Sequence, residues 1–138
     1  MDVQAVWKRG LTFESKTGSG YTLQLGATGE NGEEREGASP METILVALGS
    51  CTGMDVISIL RKKRQNVTGF EVKVHGDRAT EHPKVFTHVQ VEYIIKGQNI
   101  DPAAAQRAVE LSTTKYCSVR AMLGKAFEIE DKITLLED

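Results

Sequence analysis

The chain has only two cysteines in 138 residues, Cys51 and Cys117, and they form no Cys-x-x-Cys pair. A chain of this length buries roughly two thirds of its unfolded surface on folding and needs no disulfide or metal staple. The cysteines are therefore free for other work, and in a reducing compartment a two-cysteine chain carries thiols more readily than a structural bridge. An excess of positive charge is also lacking: the formal net charge is −2 and the pI about 5.9. No basic stripe that would neutralise phosphates is present, which argues against nucleic acid as a partner. The one dense basic run, Arg61-Lys62-Lys63-Arg64, suits the C-terminal end of a helix, where cations meet the negative end of the dipole. No consecutive apolar run approaches the roughly 18 residues of a membrane span. The N-terminus is polar and strand-like rather than a charged region followed by an apolar core. A soluble, cytoplasmic protein with no membrane partner is expected.

Several familiar sites are missing too. There is no phosphate-binding glycine loop, no dinucleotide fingerprint and no Gly-x-Ser-x-Gly elbow. The histidines His75, His82 and His88 show no metal-ligand spacing with either cysteine. Neither a cofactor nor a metal is expected. Internal repeats and low-complexity segments are absent, and 40% hydrophobic with 26% charged residues is ordinary globular composition. One domain covering residues 1–138 is expected.

What is present is a readable order of elements. Apolar residues alternate at the strand period around Val6 to Lys8, at Leu11 and Phe13, and at Tyr21, Leu23 and Leu25 after the Gly18-Ser19-Gly20 turn, giving three short antiparallel strands. Residues 26–37 collect Gly, Asn, Glu and Arg without periodicity and form a polar loop. Ser39-Pro40-Met41-Glu42 is a capping box with proline at the first helical position. It opens a long helix to about Arg64, apolar on most sides and expected to be buried nearly all round. Gly49 and Gly53, one turn apart, would cost about 1 kcal/mol each against alanine, so another backbone, such as a second helix, is expected close by.

After that helix, Phe70, Val72 and Val74, then Val89, Val91, Tyr93 and Ile95, mark two strands joined as a hairpin through residues 75–84. Asp101-Pro102 caps another helix, and Ser112-Thr113-Thr114 is a poor helix interior, so a break is expected before a short helix near Cys117. Phe127 to Leu135 forms a last strand, bent at Glu130-Asp131. The sum is an α+β fold, βββ-α-ββ-αα-β, with mostly antiparallel sheet.

The residues open to chemistry are few. Most free cysteines are small buried hydrophobes, and composition alone favours that reading of both. A reactive thiol needs a cation or a helix N-terminus beside it, because the thiolate is the nucleophile. Cys51 lies too deep in its helix for the dipole to help, whereas Cys117 stands near a helix start. Candidate cations are Arg9, Arg35 and Arg120. Glu42 is explained by its capping box, and Asp55, one turn after Cys51, is read as a partner for a cation or a hydroxyl.

Ser39-Pro40-Met41-Glu42, Ala47-Leu48-Gly49-Ser50-Cys51 and Lys115-Tyr116-Cys117-Ser118-Val119 together resemble the OsmC/Ohr family over essentially the whole chain, closest to a Ser-Pro-Met-Glu branch. The resemblance implies an intertwined homodimer with two central helices, antiparallel sheets completed by strands of both chains, and sites at the interface. It implies a thiol peroxidase for organic hydroperoxides in oxidative stress defence. Cys51 would attack the O–O bond, and Cys117 would resolve the sulfenic acid to a disulfide that a dithiol reductant reopens. An arginine, Arg9 or Arg35, would stabilise the thiolate, with Glu42 as the acid that orients it. Better-studied members carry glutamate directly after the proline, where Met41 stands here. A different reading of the same scaffold is a non-enzymatic dimer that senses redox state or binds a small apolar ligand.

Overall fold

The alternating segments at the start of the chain become three strands, β1 (Val3–Arg9), β2 (Thr12–Thr17) and β3 (Thr22–Gly26), in one antiparallel sheet of order β1-β2-β3. The computed structural model describes residues 1–138 and divides into two compact units, Met1–Ile44 and Leu45–Asp138. In the first unit the tight β1–β2 turn is made at Gly10, whose φ of 49° is a conformation that side chains rarely adopt. The polar loop folds back on the sheet: the Gly26 amide donates to the Ala38 carbonyl at 3.0 Å, and Arg9 pairs with Glu36 at 2.8 Å. This sheet has little core. Thr12 and Ser15 are buried, yet Val3, Val6, Trp7, Phe13 and Leu23 are all exposed.

The long helix, α1 (Pro40–Lys62), starts at the capping box. The Glu42 amide donates to Ser39 Oγ at 3.1 Å, and the Ser39 amide donates to Glu42 Oε1 at 3.0 Å, so two helix-end donors are satisfied reciprocally. Arg61 and Lys62 occupy its last turn, as the dipole favours. The expectation of burial on all sides does not hold. Leu48, Gly49, Thr52, Gly53, Val56 and Leu60 form one buried side, while Val46, Ala47, Ser50, Met54 and Ser58 are exposed. The expectation about apolar length also needs correction: α1 has a mean hydropathy of 1.8 over its most apolar window, long and apolar enough by length and composition to cross a membrane. Its few polar residues interrupt the apolar run, yet the mean stays high with them included.

The second unit continues with β4 (Asn66–Arg78), β5 (Phe86–Gln98), α2 (Pro102–Leu111), a π-helical turn (Ser112–Tyr116), α3 (Ser118–Leu123) and β6 (Glu128–Glu137). The sheet order is β4-β5-β6, with β4 and β5 antiparallel. Here β6 runs parallel to β5, the one parallel strand pair in an arrangement that is otherwise antiparallel, as expected. A parallel neighbour needs a crossover of a dozen or more residues, and α2, the π turn and α3 supply it. The bend expected at Glu130-Asp131 is absent, because both residues stay in register with Gln90 and Val91. The hairpin strands also reach further than expected, leaving only residues 79–85 as the connection.

Alternation then sorts the sheet. Val89, Val91, Tyr93 and Ile95 of β5 are buried with Leu48, Val56 and Leu60 of α1. Each such aliphatic side chain contributes about 1.5–3 kcal/mol on burial. The two glycines of α1 face this sheet and not a second helix. A Cβ on Gly49 would meet Val74 Cγ2 at 3.0 Å, and one on Gly53 would meet Val72 Cγ2 at 3.3 Å. The β-branched valines of β4 fill the space that the glycines leave.

Candidate active site around two thiols

The small-residue stretch of α1 presents Cys51 at intermediate exposure, and the crossover brings Cys117 to it from the far end of the chain. Cys117 is 3% exposed, and Cys51 is a near enough neighbour to raise its pKa. Its position follows from local sequence. Asp101 caps α2, Oδ1 accepting from the Ala103 amide at 3.0 Å, and the helix runs until Ser112-Thr113-Thr114. There the helix widens into the π turn: β-branched residues are poor helix interior, and Thr113 and Thr114 hydroxyls donate to the Glu110 carbonyl. Cys117 follows with extended backbone as the N-cap of α3, its Sγ accepting from the Arg120 amide at 3.3 Å.

Electrostatics distinguish this thiol. Burial pushes the Cys117 pKa up to about 11, and contact with Cys51 and the charge of Asp55 act in the same direction, against the lowering effect of the Arg120 amide. Cys117 is thus a protonated thiol at neutral pH.

Behind the thiols runs a chain of hydrogen-bonded side chains that the sequence did not announce. Ser112 Oγ donates to Asp55 Oδ2 at 2.9 Å and contacts the Thr52 hydroxyl at 2.8 Å. Thr52 meets the Tyr93 hydroxyl at 3.0 Å, and Tyr93 donates to Asp131 at 3.1 Å. Asp131 accepts two bonds from the Arg120 guanidinium, both at 2.8 Å. Thr52, Tyr93 and Ser112 are fully buried, and burial holds the Tyr93 hydroxyl well above the ordinary tyrosine range. Asp55 therefore partners a hydroxyl, as read from the sequence. Arg120 is committed to Asp131, and it is its backbone amide that addresses Cys117. The network's members come from α1, β5, the π turn, α3 and β6, so linear spacing carries no sign of it. The alternation that put Tyr93 on the buried side of β5 was the one usable signal, since a buried tyrosine hydroxyl needs a partner.

The remaining candidates belong to the first unit. Arg35 pairs with Glu42 at 3.1 Å, and Arg9 is held by Glu36. The Glu42 carboxyl is held below its usual range by the Ser39 amide and hydroxyl and by Arg35. Its capping role is thus accompanied by an ion pair.

An α+β chain whose long-helix cysteine meets a second thiol at the N-cap of a late helix defines the class. The chain belongs to the OsmC-like family: residues 30–131 match the family model described as OsmC-like protein. It is 43% identical over 129 residues to Protein YhfA of Escherichia coli K12, covering 94% of this chain and 93% of that one. Among solved structures it is similar to a hypothetical protein from Aquifex aeolicus, at 34% identity and a TM-score of 0.86 over 99% of this chain and 96% of that one. The fold is shared with the organic hydroperoxide resistance protein OsmC of Legionella pneumophila, at 12% identity and a TM-score of 0.68 over 96% and 95% of the two chains.

Proposed function

We propose that the protein is a thiol peroxidase that reduces organic hydroperoxides and works as a homodimer in the cytoplasm. The observation that carries this reading is the nearness of Cys51 to a buried Cys117 kept as a protonated thiol. In the proposed cycle the Cys51 thiolate attacks the peroxide, the O–O bond breaks, and the departing alkoxide takes a proton to leave as alcohol. Cys51 is thereby oxidised to a sulfenic acid. Cys117 sulfur then attacks that sulfur; its proton leaves with the displaced hydroxide as water, and a disulfide forms. A dithiol reductant supplies two electrons and two protons to restore both thiols. A buried, protonated Cys117 suits the resolving role, since it carries the proton that the leaving hydroxide needs.

The assisting arginine in this proposal is Arg35, because Arg35 and Glu42 form the arginine–acid pair that family resemblance calls for. Dimerisation is supported by the uncovered side of α1, where Val46 and Met54 are 61% and 69% exposed, and by the uncovered apolar residues of the first sheet. Large exposed apolar side chains on each of these surfaces are a mark of interaction sites.

Reduced protein treated with a slight excess of cumene hydroperoxide should form the Cys51–Cys117 disulfide rapidly, as followed by thiol counting and mass spectrometry. Cys51→Ser should abolish it, and Arg35→Ala should slow it at least tenfold. Thiols that persist in the wild-type protein would overturn the peroxidase reading in favour of a binding or sensing dimer.

A further inference from the structure

The second sheet has another face. Val72 and Val74 fill the glycine gaps of α1, so the intervening Lys73, His75 and Asp77 of β4 point away from the helix. Strand register aligns the same face of the neighbouring strands: Asp77 stands opposite His88 of β5, and His88 stands opposite Glu128 of β6. The next row holds His75, Gln90 and Glu130. A ring nitrogen of His88 and carboxylate oxygens of Glu128 and Glu130 all lie within 4.8 Å of one another. His88 Nε2 is 3.3 Å from Glu130 Oε2, while Nδ1 faces Asp77 Oδ2 at 3.8 Å. Asp77 is in turn held by His75 Nε2 at 3.0 Å.

We propose that His88, Glu128 and Glu130 bind a divalent transition-metal ion of the zinc type, with Asp77 as the outer carboxylate that fixes the His88 ring. Three features of the molecule carry this. First, the donor set is one imidazole and two carboxylates converging from two strands, which suits zinc and its neighbours; calcium and magnesium favour all-oxygen shells. Second, metal-bound histidines commonly give their other ring N–H to a carboxylate, and Asp77 is the carboxylate that faces Nδ1, 3.8 Å away and so a short approach from hydrogen-bonding distance. Third, the nearby lysines do not neutralise the acids: Lys132 pairs with Glu92 at 3.4 Å and Lys73 with Glu71 at 3.6 Å. Like charges side by side on a sheet repel, so the two glutamates gain from a cation between them and His88.

Zinc bonds of about 2.0–2.1 Å place tetrahedral ligands about 3.3 Å apart. From separations within 4.8 Å the side chains must close in by up to about 1.5 Å, which the exposed glutamates allow. Three protein ligands leave one position open for water or a further ligand, and one of the three, Glu130, also lines a cavity of about 510 Å³ with Lys73, His75, Gln90, Glu92 and Lys132. The site is separate from the thiols, because Tyr93 and the other inward residues of β5 face α1 from the opposite side of the sheet. Linear sequence hides it, since positions 88, 128 and 130 meet only through the parallel pairing of β5 and β6.

The test is zinc titration of the full chain at pH 7.5, in a Cys51→Ser/Cys117→Ser background that removes competing thiols, read by calorimetry and by the imidazole NMR signals. One ion per chain, perturbing the His88 ring and leaving His82 unchanged, is expected. His88→Ala and Glu128→Gln/Glu130→Gln should each weaken binding at least tenfold, and Asp77→Asn should weaken it by about 10–100-fold, as outer-partner changes do. Circular dichroism would confirm that each variant is folded. Binding of equal strength in the His88 and double-glutamate variants, or no stoichiometric binding at all, would overturn the proposal and leave His88 as an imidazole among surface carboxylates.

Discussion

The two units solve the burial problem differently. In residues 45–138 a helix lies on a sheet, and both the apolar side of α1 and the inward row of β5 disappear from solvent. In residues 1–44 a three-stranded sheet keeps nearly all its large side chains exposed, Trp7 at 63% among them. Sheets of so few strands need a covered apolar face to be stable. The contrast teaches that the first unit is built to be completed by something, and a second copy of the chain is the occupant proposed above.

The largest expected effect is on assembly. Val46→Glu with Met54→Glu places charge on the uncovered side of α1 and should lower the mass in light scattering from twice 15.1 kDa to 15.1 kDa. An unchanged mass would place the dimer contact elsewhere. Next come core truncations. Leu48→Ala, in a fully buried site, should cost about 2–5 kcal/mol in chemical denaturation. Leu23→Ala should cost more than about 1 kcal/mol in the dimer but stay within about 0.5 kcal/mol in the charged monomeric variant, as surface changes do. Equal values in both backgrounds would mean that the first sheet is not covered by a partner.

The smallest effect concerns pH. The Cys117 pKa rises in the fold from an ordinary 9.0 to about 11, so the folded state holds its proton more tightly than the unfolded chain. That contribution is complete below pH 9 and is lost as pH rises through 11. One proton accounts for a slope of at most about 1.4 kcal/mol per pH unit. Cys117→Ala should flatten the stability curve by up to that slope between pH 9 and 11, while Tyr93 continues the decline at higher pH in both proteins.

Local rules made a large part of this legible. The Ser39–Glu42 box, the Asp101-Pro102 cap and the break at Ser112-Thr113-Thr114 are all short-range chemistry, and each appears where the sequence put it. The cysteine pair was readable through its motifs. Whatever depends on register was not. Thr52, Tyr93, Ser112 and Asp131 become partners only because β6 lies parallel to β5 and the crossover returns to α1. Gly49 and Gly53 announced a close neighbour, but glycine spacing does not say whether that neighbour is a helix or, as here, the valines of a strand.

One detail of the crossover reaches beyond packing. The Arg120 amide, in the first turn of α3, is secured by a sulfur atom, where most helices use a hydroxyl or carboxylate. The anchor of this six-residue helix is therefore itself an oxidisable group. Any change of electron density or bonding at Cys117 alters the hold on the Arg120 amide, whose guanidinium grips Asp131 in the neighbouring strand. Under the proposed cycle, the exchange rate of that single amide should follow the oxidation state of Cys117.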